Sequence, residues 1–455
     1  MRTGRSGGKL QRMPTSYQPY EPNQDLLLPH SLQEWLPQGH LAHYIGDIVD
    51  ALDLSAFYKR YEGGGARNQP FHPAMMVKVL LYGYATGVFS SRKIARKLHE
   101  DVAFRVLAAS NFPKHRTLCD FRALHLKELA ALFVQVVKLA SECGLVKLGT
   151  IAVDGTKLRA NASRHKAMSY ERMQAAEVEL KAQVDALLAR AAQTDKAEAG
   201  ESELDIPAEI ARREQRIAAI SAAKARLEER QRQADAQRGR KPDDNDSPPP
   251  GDALESPRKA GRAFKRAFGV PAPKAQDNFT DPDSRIMKTS AGFEQCFNAQ
   301  TAVDAHTQIV VAAELTNCAA DSGELPGMLD AVQRNMGHAP EVALADAGYR
   351  SEAVLAQLSE SPTEVIVALG REGKKQVDID AHKLPHTAAM AAKLQSAEGR
   401  AKYRRRKAIV EPPNGWVKHI LGFRQFSFRG IEKVRCEFKL VCAALNLRRM
   451  AKMMA

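Results

Sequence analysis

Long apolar runs are absent from this 455-residue chain. Nothing in it approaches the roughly 18 consecutive apolar residues of a membrane span, and the first residues, MRTGRSGGKLQRMPTSYQP, hold no apolar stretch of the kind that directs secretion. The expectation is a protein neither secreted nor embedded in a membrane. Cysteine is scarce and scattered: Cys119, Cys143, Cys296, Cys318, Cys436 and Cys442 form no C-x-x-C pair and no Cys/His cluster at zinc spacing. That argues against a disulfide framework and a structural zinc, and points to a reducing cytoplasm. Apolar content is not short, at 44%, and charged content is 26%, so wholesale disorder is excluded as well. The length predicts two to four domains, each able to bury a core.

The chain is rich in positive charge, with a formal net of +14. The charge is segregated: residues 1–160 carry +8, residues 161–275 +3, residues 276–399 −9 and residues 400–455 +12. Basic flanks around an acidic middle suit a polyanion held on both sides of a centre where carboxylates collect around divalent cations. Nucleic acid is the obvious polyanion. A surface that is basic only for solubility is the alternative.

Residues 1–25 are polar and rich in Gly, Pro and Gln, and are expected to be a mobile arm. From Leu26 to about Cys143 the pattern is helical. Pro73 opens a helix with Met76, Val79, Leu80 and Gly83 on one face. Ser90 or Ser91 caps the next, SRKIARKLHE, with Ile94, Ala95 and Leu98 inward. Arg92, Lys93, Arg96 and Lys97 on that helix form two i,i+4 pairs of like charge, better tolerated beside phosphates, so this is a candidate DNA-facing helix. A solvated basic face is the competing reading. Thr117 is expected to cap a further helix through Phe133, completing a bundle of helix-turn-helix style.

After Gly144 the chemistry turns to strand, with Ile151 and Val153 leading into Asp154-Gly155. Met173, Leu180 and Leu187, then Ile210, Ile217, Ile220 and Leu227, repeat at helical spacing in two Ala-rich stretches and predict an antiparallel helical hairpin. RGRKPDDNDSPPPGD (238–252) predicts a disordered linker. The following tract, with Arg258, Lys259, Arg262, Lys265 and Arg266, is either solvated or in contact with nucleic acid. From Ser290 two alternating runs joined at Asp304 predict a hairpin. A helix from about Glu324, a strand ending at Asp346, another helix and the strand 364–369 follow. With the early strand restored across the insertion, the fold class is α+β, a mixed sheet with helices on its faces.

Three acidic residues stand where chemistry is commonly done. Asp154 and Asp346 are expected at strand ends before glycines, where an Asp also serves turns for purely structural reasons. Glu411 lies among Tyr403, Arg404, Arg405, Arg406, Lys407 and Lys418, where it either pairs with Arg or binds a cation. Glu437 is the fallback third ligand. Asp304 and Asp321 are expected as turn and cap residues, with Asp321 near enough to the sheet to be watched.

VDGTKLRANAS (153–163), ALADAGYRSE (343–352) and GRAKYRRRKAIVEPPNGWVKHILGFRQFSFRG (399–430) resemble the three motif blocks of DDE transposases from bacterial insertion sequences. DNFTDPDSRIMKTSAGFEQCFNAQTAVD (277–304), NQDLLLPHSLQEWLP (23–37) and SSRKIARKLHEDVAFRVLA (90–108) extend the likeness over nearly the whole chain apart from 161–275 and the extreme N-terminus. The resemblance implies a ribonuclease H-like catalytic core (146–160 with 276–430), an N-terminal all-α DNA-binding domain (26–145), a helical-hairpin insertion (161–275) and a C-terminal helix (431–455). It implies Asp154, Asp346 and Glu411 as catalytic and metal-binding residues, with two Mg²⁺ ions about 3.5–4 Å apart, for which Mn²⁺ can substitute, activating a water or a DNA 3′-hydroxyl. Tyr403, Arg406, Glu411 and Lys418 match a related Tyr, Arg, Glu, Lys signature, except that four residues separate Arg406 from Glu411 where three are usual. Either Arg406 or Lys407 therefore fills the basic role. Pro413-Asn414 stand where many relatives carry an apolar residue and Phe. The implied activity is cleavage at the terminal inverted repeats of a mobile element followed by strand transfer. Its implied partner is double-stranded DNA, its state a homo-oligomer in the active complex, and its place the cytoplasm at the nucleoid. The rivals are a catalytically silent DNA-binding derivative and another ribonuclease H-like nuclease acting on branched DNA.

Overall fold

In a computed structural model of the chain, residues 31–61, 69–194, 206–242, 266–370 and 379–454 are described. The arm 1–25, most of the linker 238–252, and Arg258, Lys259, Arg262 and Lys265 lie outside them.

The N-terminal part is helical: α1 (Leu41–Ala51), α2 (Ser55–Tyr58), α3 (Pro73–Ala85), α4 (Ser91–Glu100), α5 (Val102–Leu107), α6 (His115–Leu124) and α7 (Leu126–Glu142). Pro73 sits in the first turn of α3, where its missing N–H costs no hydrogen bond, and every residue of α3 except Lys78 is buried. Thr117 does not start a helix as expected. The helix begins at His115 with Lys114 as its cap, and it breaks at His125 before α7. His125 is fully buried, in reach of the Tyr61 hydroxyl at 3.1 Å, which ties the break to the neighbouring aromatic cluster. Gly144 then leaves α7 with a φ of +73°, the left-handed value that ends helices readily only at glycine.

The sheet contains β1 (Thr150–Arg159), β4 (Arg285–Thr289), β5 (Gly292–Asp304), β6 (Val310–Thr316), β7 (Val342–Ala345) and β8 (Glu364–Val367), while β2 (Ala167–Ser169) pairs separately with β3 (Gln276–Asn278). β1, β7 and β8 run parallel, β5 runs antiparallel to β1, and β4 and β6 share the far edge of β5. With β4 beside β6 on that edge, the order is thus β6-β5-β1-β7-β8. Between β6 and β7 lies α10 (Leu325–Met336), and between β7 and β8 lies α11 (Glu352–Leu358). This is the mixed sheet expected from the alternation. β2, β3 and β4 were not foreseen, since runs of three to five residues are too short to show a periodicity of their own.

The insertion is a hairpin of α8 (Tyr170–Thr194) and α9 (Ile206–Gln237). Its antiparallel sense follows from its cross-links: Tyr170 to Glu228, Lys224 to Glu177, and Arg213 to Gln183. Tyr170, Met173, Leu180, Ile220, Ala223 and Leu227 form a small core separate from the main one. Asp277 at β3 is fully buried and receives Arg226 and Arg230 of α9, mooring the hairpin. The start of the expected linker is ordered, because Arg240 folds back onto buried Asp235 at 3.1 Å.

The C-terminal part comprises α12 (Pro385–Gln395), α13 (Ala397–Arg404), α14 (Arg406–Gly415) and α15 (Ile431–Met454). α15 packs on α3, α7 and β6, so the helical part and the sheet share one continuous apolar core rather than meeting at a seam. At this junction buried Arg122 of α6 donates to the Tyr84 hydroxyl and to Phe89 O, while Tyr84 donates to Glu437 of α15. Phe89 also meets Phe423 edge to face at 5.0 Å. The backbone N–H groups of Gly430 and Ile431, at the start of α15, are accepted by Asp281 and Asp283, which gives the block around 277–304 a capping role.

Candidate active site

The acidic pair is built by strand register. In the parallel pairing of β1 with β7, Val153 stands opposite Ala345, so Asp154 and Asp346 are neighbours across two adjacent strands. Asp154 does not end its strand as expected. β1 continues to Arg159, and Gly155 lies inside it opposite Gln300. The glycine answers to crowding rather than to a turn: a Cβ there would lie 2.5 Å from the Gln300 amide nitrogen and 2.6 Å from an Asp321 oxygen. Asp346 does leave its strand, and its side chain accepts the Gly348 N–H at 2.8 Å to start the 3₁₀ turn Ala347–Tyr349.

Burial, then the charge of Asp346, push the Asp154 carboxyl up to about 6, against Arg406 and the hydrogen bonds from Gly155 and Asn414. Asn414 is a residue whose role the sequence did not disclose. Its Nδ2 donates to Asp154 Oδ2 at 3.2 Å, and its Oδ1 accepts from Thr301 Oγ1 at 3.2 Å. Thr301 is the β5 residue opposite Asp154. Asn414 thus fastens α14 to the sheet at the acidic pair. Only the register reveals the use.

Glu411 lies three residues before Asn414, hence on the same face of α14 one turn earlier. Its side chain is 56% exposed, and Arg406 Nη2 lies 3.9 Å from one of its oxygens. Arg406 is buried beside Asp154, with Nε and Nη1 lacking any hydrogen bond among the described residues, while Lys407 is exposed. Tyr403 packs partly buried against the main core. Lys418 is half-buried near Asp154, and burial lowers its pKa. Among the described residues, no group of three or more His, Cys, Asp or Glu side chains stands close enough to hold a metal ion. The structure therefore brings Asp154 and Asp346 together and leaves Glu411 one helical turn from their Asn414 anchor. The donor chemistry fits a divalent cation nonetheless: hard carboxylate oxygens, two of them on half-buried residues whose like charges oppose one another.

α14 ends unusually. Pro412 and Pro413 lie inside it and supply no N–H, so Ala408 O is taken instead by Gln308 Nε2 at 2.7 Å. The chain then passes through a π turn, Trp416–Ile420, which carries Lys418. Beyond it, Arg159 N donates to Arg424 O and Phe426 N to Arg159 O, so the first and last sequence blocks are laced together.

On the opposite face of β1 lies a polar network the sequence did not reveal. Asp321 accepts from Lys157, Asn298 and Gln300, and the Tyr349 hydroxyl donates to Gln300. The expectation of a simple cap at Asp321 is replaced by a brace beneath the turn that carries Asp346. Asp304 is the turn residue expected, accepting from Leu148 and His306. Glu437, the fallback ligand, is fully buried with its oxygens engaged by Ser427, Phe428 and Tyr84, away from the pair.

On α4, Ile94 and Leu98 are buried as expected, and Arg92, Lys93 and Arg96 are exposed. The like-charge crowding is relieved one turn on, where Arg96 pairs with Glu100 and Lys97 with Asp101. Arg92 and Lys93 pair with no carboxylate among the described residues. No described helix is long and apolar enough to cross a membrane.

Two families match the chain: a transposase domain (DUF772) over residues 30–124, and a transposase DDE domain over residues 267–447. No curated protein and no solved structure matches it. The two matched segments together span more than half of the sequence and take in the α4 helix, Asp346 and the α14 block, and the chain belongs to the DDE transposases of insertion sequences, enzymes of metal-dependent DNA cleavage and strand transfer.

Proposed function

We propose that the protein binds the terminal inverted repeats of its insertion sequence, cuts there, and joins the freed 3′ ends to target DNA, with Asp154, Asp346 and Glu411 as the acidic triad of a ribonuclease H-like core. The observation that carries this is the Asp154–Asp346 pair on neighbouring parallel strands, with α14 fastened across it by Asn414. The strand order β6-β5-β1-β7-β8, with β5 alone running against the other four, is that expected of such a core.

Asp154, Asp346 and Glu411 would hold Mg²⁺, which supplies Lewis-acid stabilisation of the in-line displacement at phosphorus, Mn²⁺ serving in its place. The chain's own residues do the rest. Asn414 sets the orientation of the Asp154 carboxylate. Arg406 keeps a positive charge buried behind it, and Lys418 presents an ammonium to the same place for a phosphate oxygen. Tyr403 is read as a contact to the DNA end, and Lys407, exposed at the start of α14, as a contact to the backbone. On α4, Arg92 and Lys93 have no ion pair to break and are read as the principal phosphate contacts, with Arg96 and Lys97 exchanging weak surface pairs for DNA. We take 26–145 as the DNA-binding part, the active complex as a homo-oligomer, and the site of action as the cytoplasmic nucleoid.

The test is strand cleavage of a duplex bearing the element's terminal repeat in Mg²⁺, with Asp154→Asn, Asp346→Asn and Glu411→Gln each expected to lose activity by about a hundredfold or more. Normal cutting by any of them removes that residue from the triad. Preferential cutting of four-way junctions would instead favour a branched-DNA nuclease.

A further inference from the structure

The π turn after α14 has two sides. Lys418 is half-buried near Cys296 and Asp154, whereas Trp416 and Ile420 line a pocket with the last turns of α15. There they line, with Leu445, Arg448, Arg449 and Lys452, a pocket of about 240 Å³. Three cations border it, and none pairs with a carboxylate among the described residues. Arg449 is held rigidly: Nε donates to Thr307 O and Nη2 to Gln308 Oε1, each at 2.9 Å, and its guanidinium lies 4.7 Å over the Trp416 ring. Burial, with no opposing acid, lowers its pKa. Arg448 is exposed and spends one donor on Ala85 O, leaving the others free. Lys452 is exposed and makes no hydrogen bond or ion pair among the described residues. Ile420, 57% exposed, extends the apolar wall of Trp416 to the surface.

An aromatic and aliphatic wall rimmed by uncompensated guanidinium and ammonium groups is suited to a sugar-phosphate backbone: the cations take phosphate oxygens and the ring takes the deoxyribose edge. Resting on the DNA-binding reading above, we propose that this pocket is a second backbone-phosphate site for duplex DNA, in which Arg448, Arg449 and Lys452 grip the strand on the far side of the turn from the acidic pair. The three cations lie beyond the segment matched by the DDE domain, which ends at residue 447.

The experiment uses the full chain and a labelled duplex of about 40 base pairs lacking any terminal-repeat sequence, titrated by fluorescence anisotropy over a series of salt concentrations. Each lost phosphate contact reduces the slope of log K against log salt by about 0.9. Lys452→Glu is expected to weaken binding several-fold with an unchanged melting temperature, since Lys452 holds nothing in the fold, and the Arg448→Gln, Lys452→Gln double variant to flatten the slope by about two units. In a Trp35→Phe background Trp416 is the only tryptophan, and its emission is expected to respond to DNA in the otherwise intact protein and not in the double variant. If the parent protein binds and the variants match it in affinity, slope and Trp416 response, the pocket proposal falls alone. If the parent protein does not bind DNA at all, it falls together with the DNA-binding reading.

Discussion

At Asp154 burial and the neighbouring Asp346 oppose ionisation, so in metal-free protein the carboxyl titrates near pH 6 rather than near 4. The folded value lies above the unfolded one. The resulting stability is therefore fully present below about pH 4 and is lost as the pH rises through about 6, a shift of about two units corresponding to about 3 kcal/mol. Asp154→Asn should accordingly melt several degrees above the parent protein at pH 8 in a chelator, with the gap closing by pH 4. Calorimetry at the two pH values checks this, and a gap independent of pH would contradict the buried charge. Asp154, Asp346 and Glu411 could be singled out only by the resemblance of their sequence blocks to those of a family, since each residue alone had a structural reading at least as good. Thr301 and Asn414 could not, since what makes them matter is the pairing of β1 with β5 and the rotation of α14 over both.

Among the elements, the helical hairpin is the most separable. Its apolar contacts are mostly its own, and its hold on the β2–β3 pair is concentrated at one fully buried carboxylate, Asp277. Asp277→Ala would leave Arg226 and Arg230 partly buried without a partner, a loss of about 3–5 kcal/mol in docking. Limited proteolysis should then cut α9 markedly faster, while the main melting transition stays where it was; a main transition that falls with it would show the hairpin to be integral to the large core. The hairpin itself could be read from spacing alone, because heptad-like repeats over twenty residues outweigh local noise. Short strands such as β2 and β3 could not, as they exist only by pairing across the insertion. The helix break at His125 was hidden for a similar reason: aromatic contacts from Phe57, Tyr61 and Phe121 fix it, not a turn residue.

For the whole molecule the shared core is decisive. The sequence divides into a basic helical part and an acidic sheet part, and composition alone suggests independent domains. Yet α15, the last element in the chain, supplies apolar surface to both. Truncation after Gly430 should therefore remove the cooperative transition of the helical part as well as that of the sheet, measurable by calorimetry on the shortened chain. A helical part that still melts cooperatively would show it to be self-sufficient.

The buried bridge from Arg122 through Tyr84 to Glu437 then has a consequence for how DNA is measured. If α4 holds the DNA as proposed, this bridge makes the protein a caliper of fixed opening between α4 and the acidic pair. Sliding the recognised sequence along the duplex by half a helical turn would present the wrong strand to the jaws, and the DNA, not the enzyme, would have to bend to correct it.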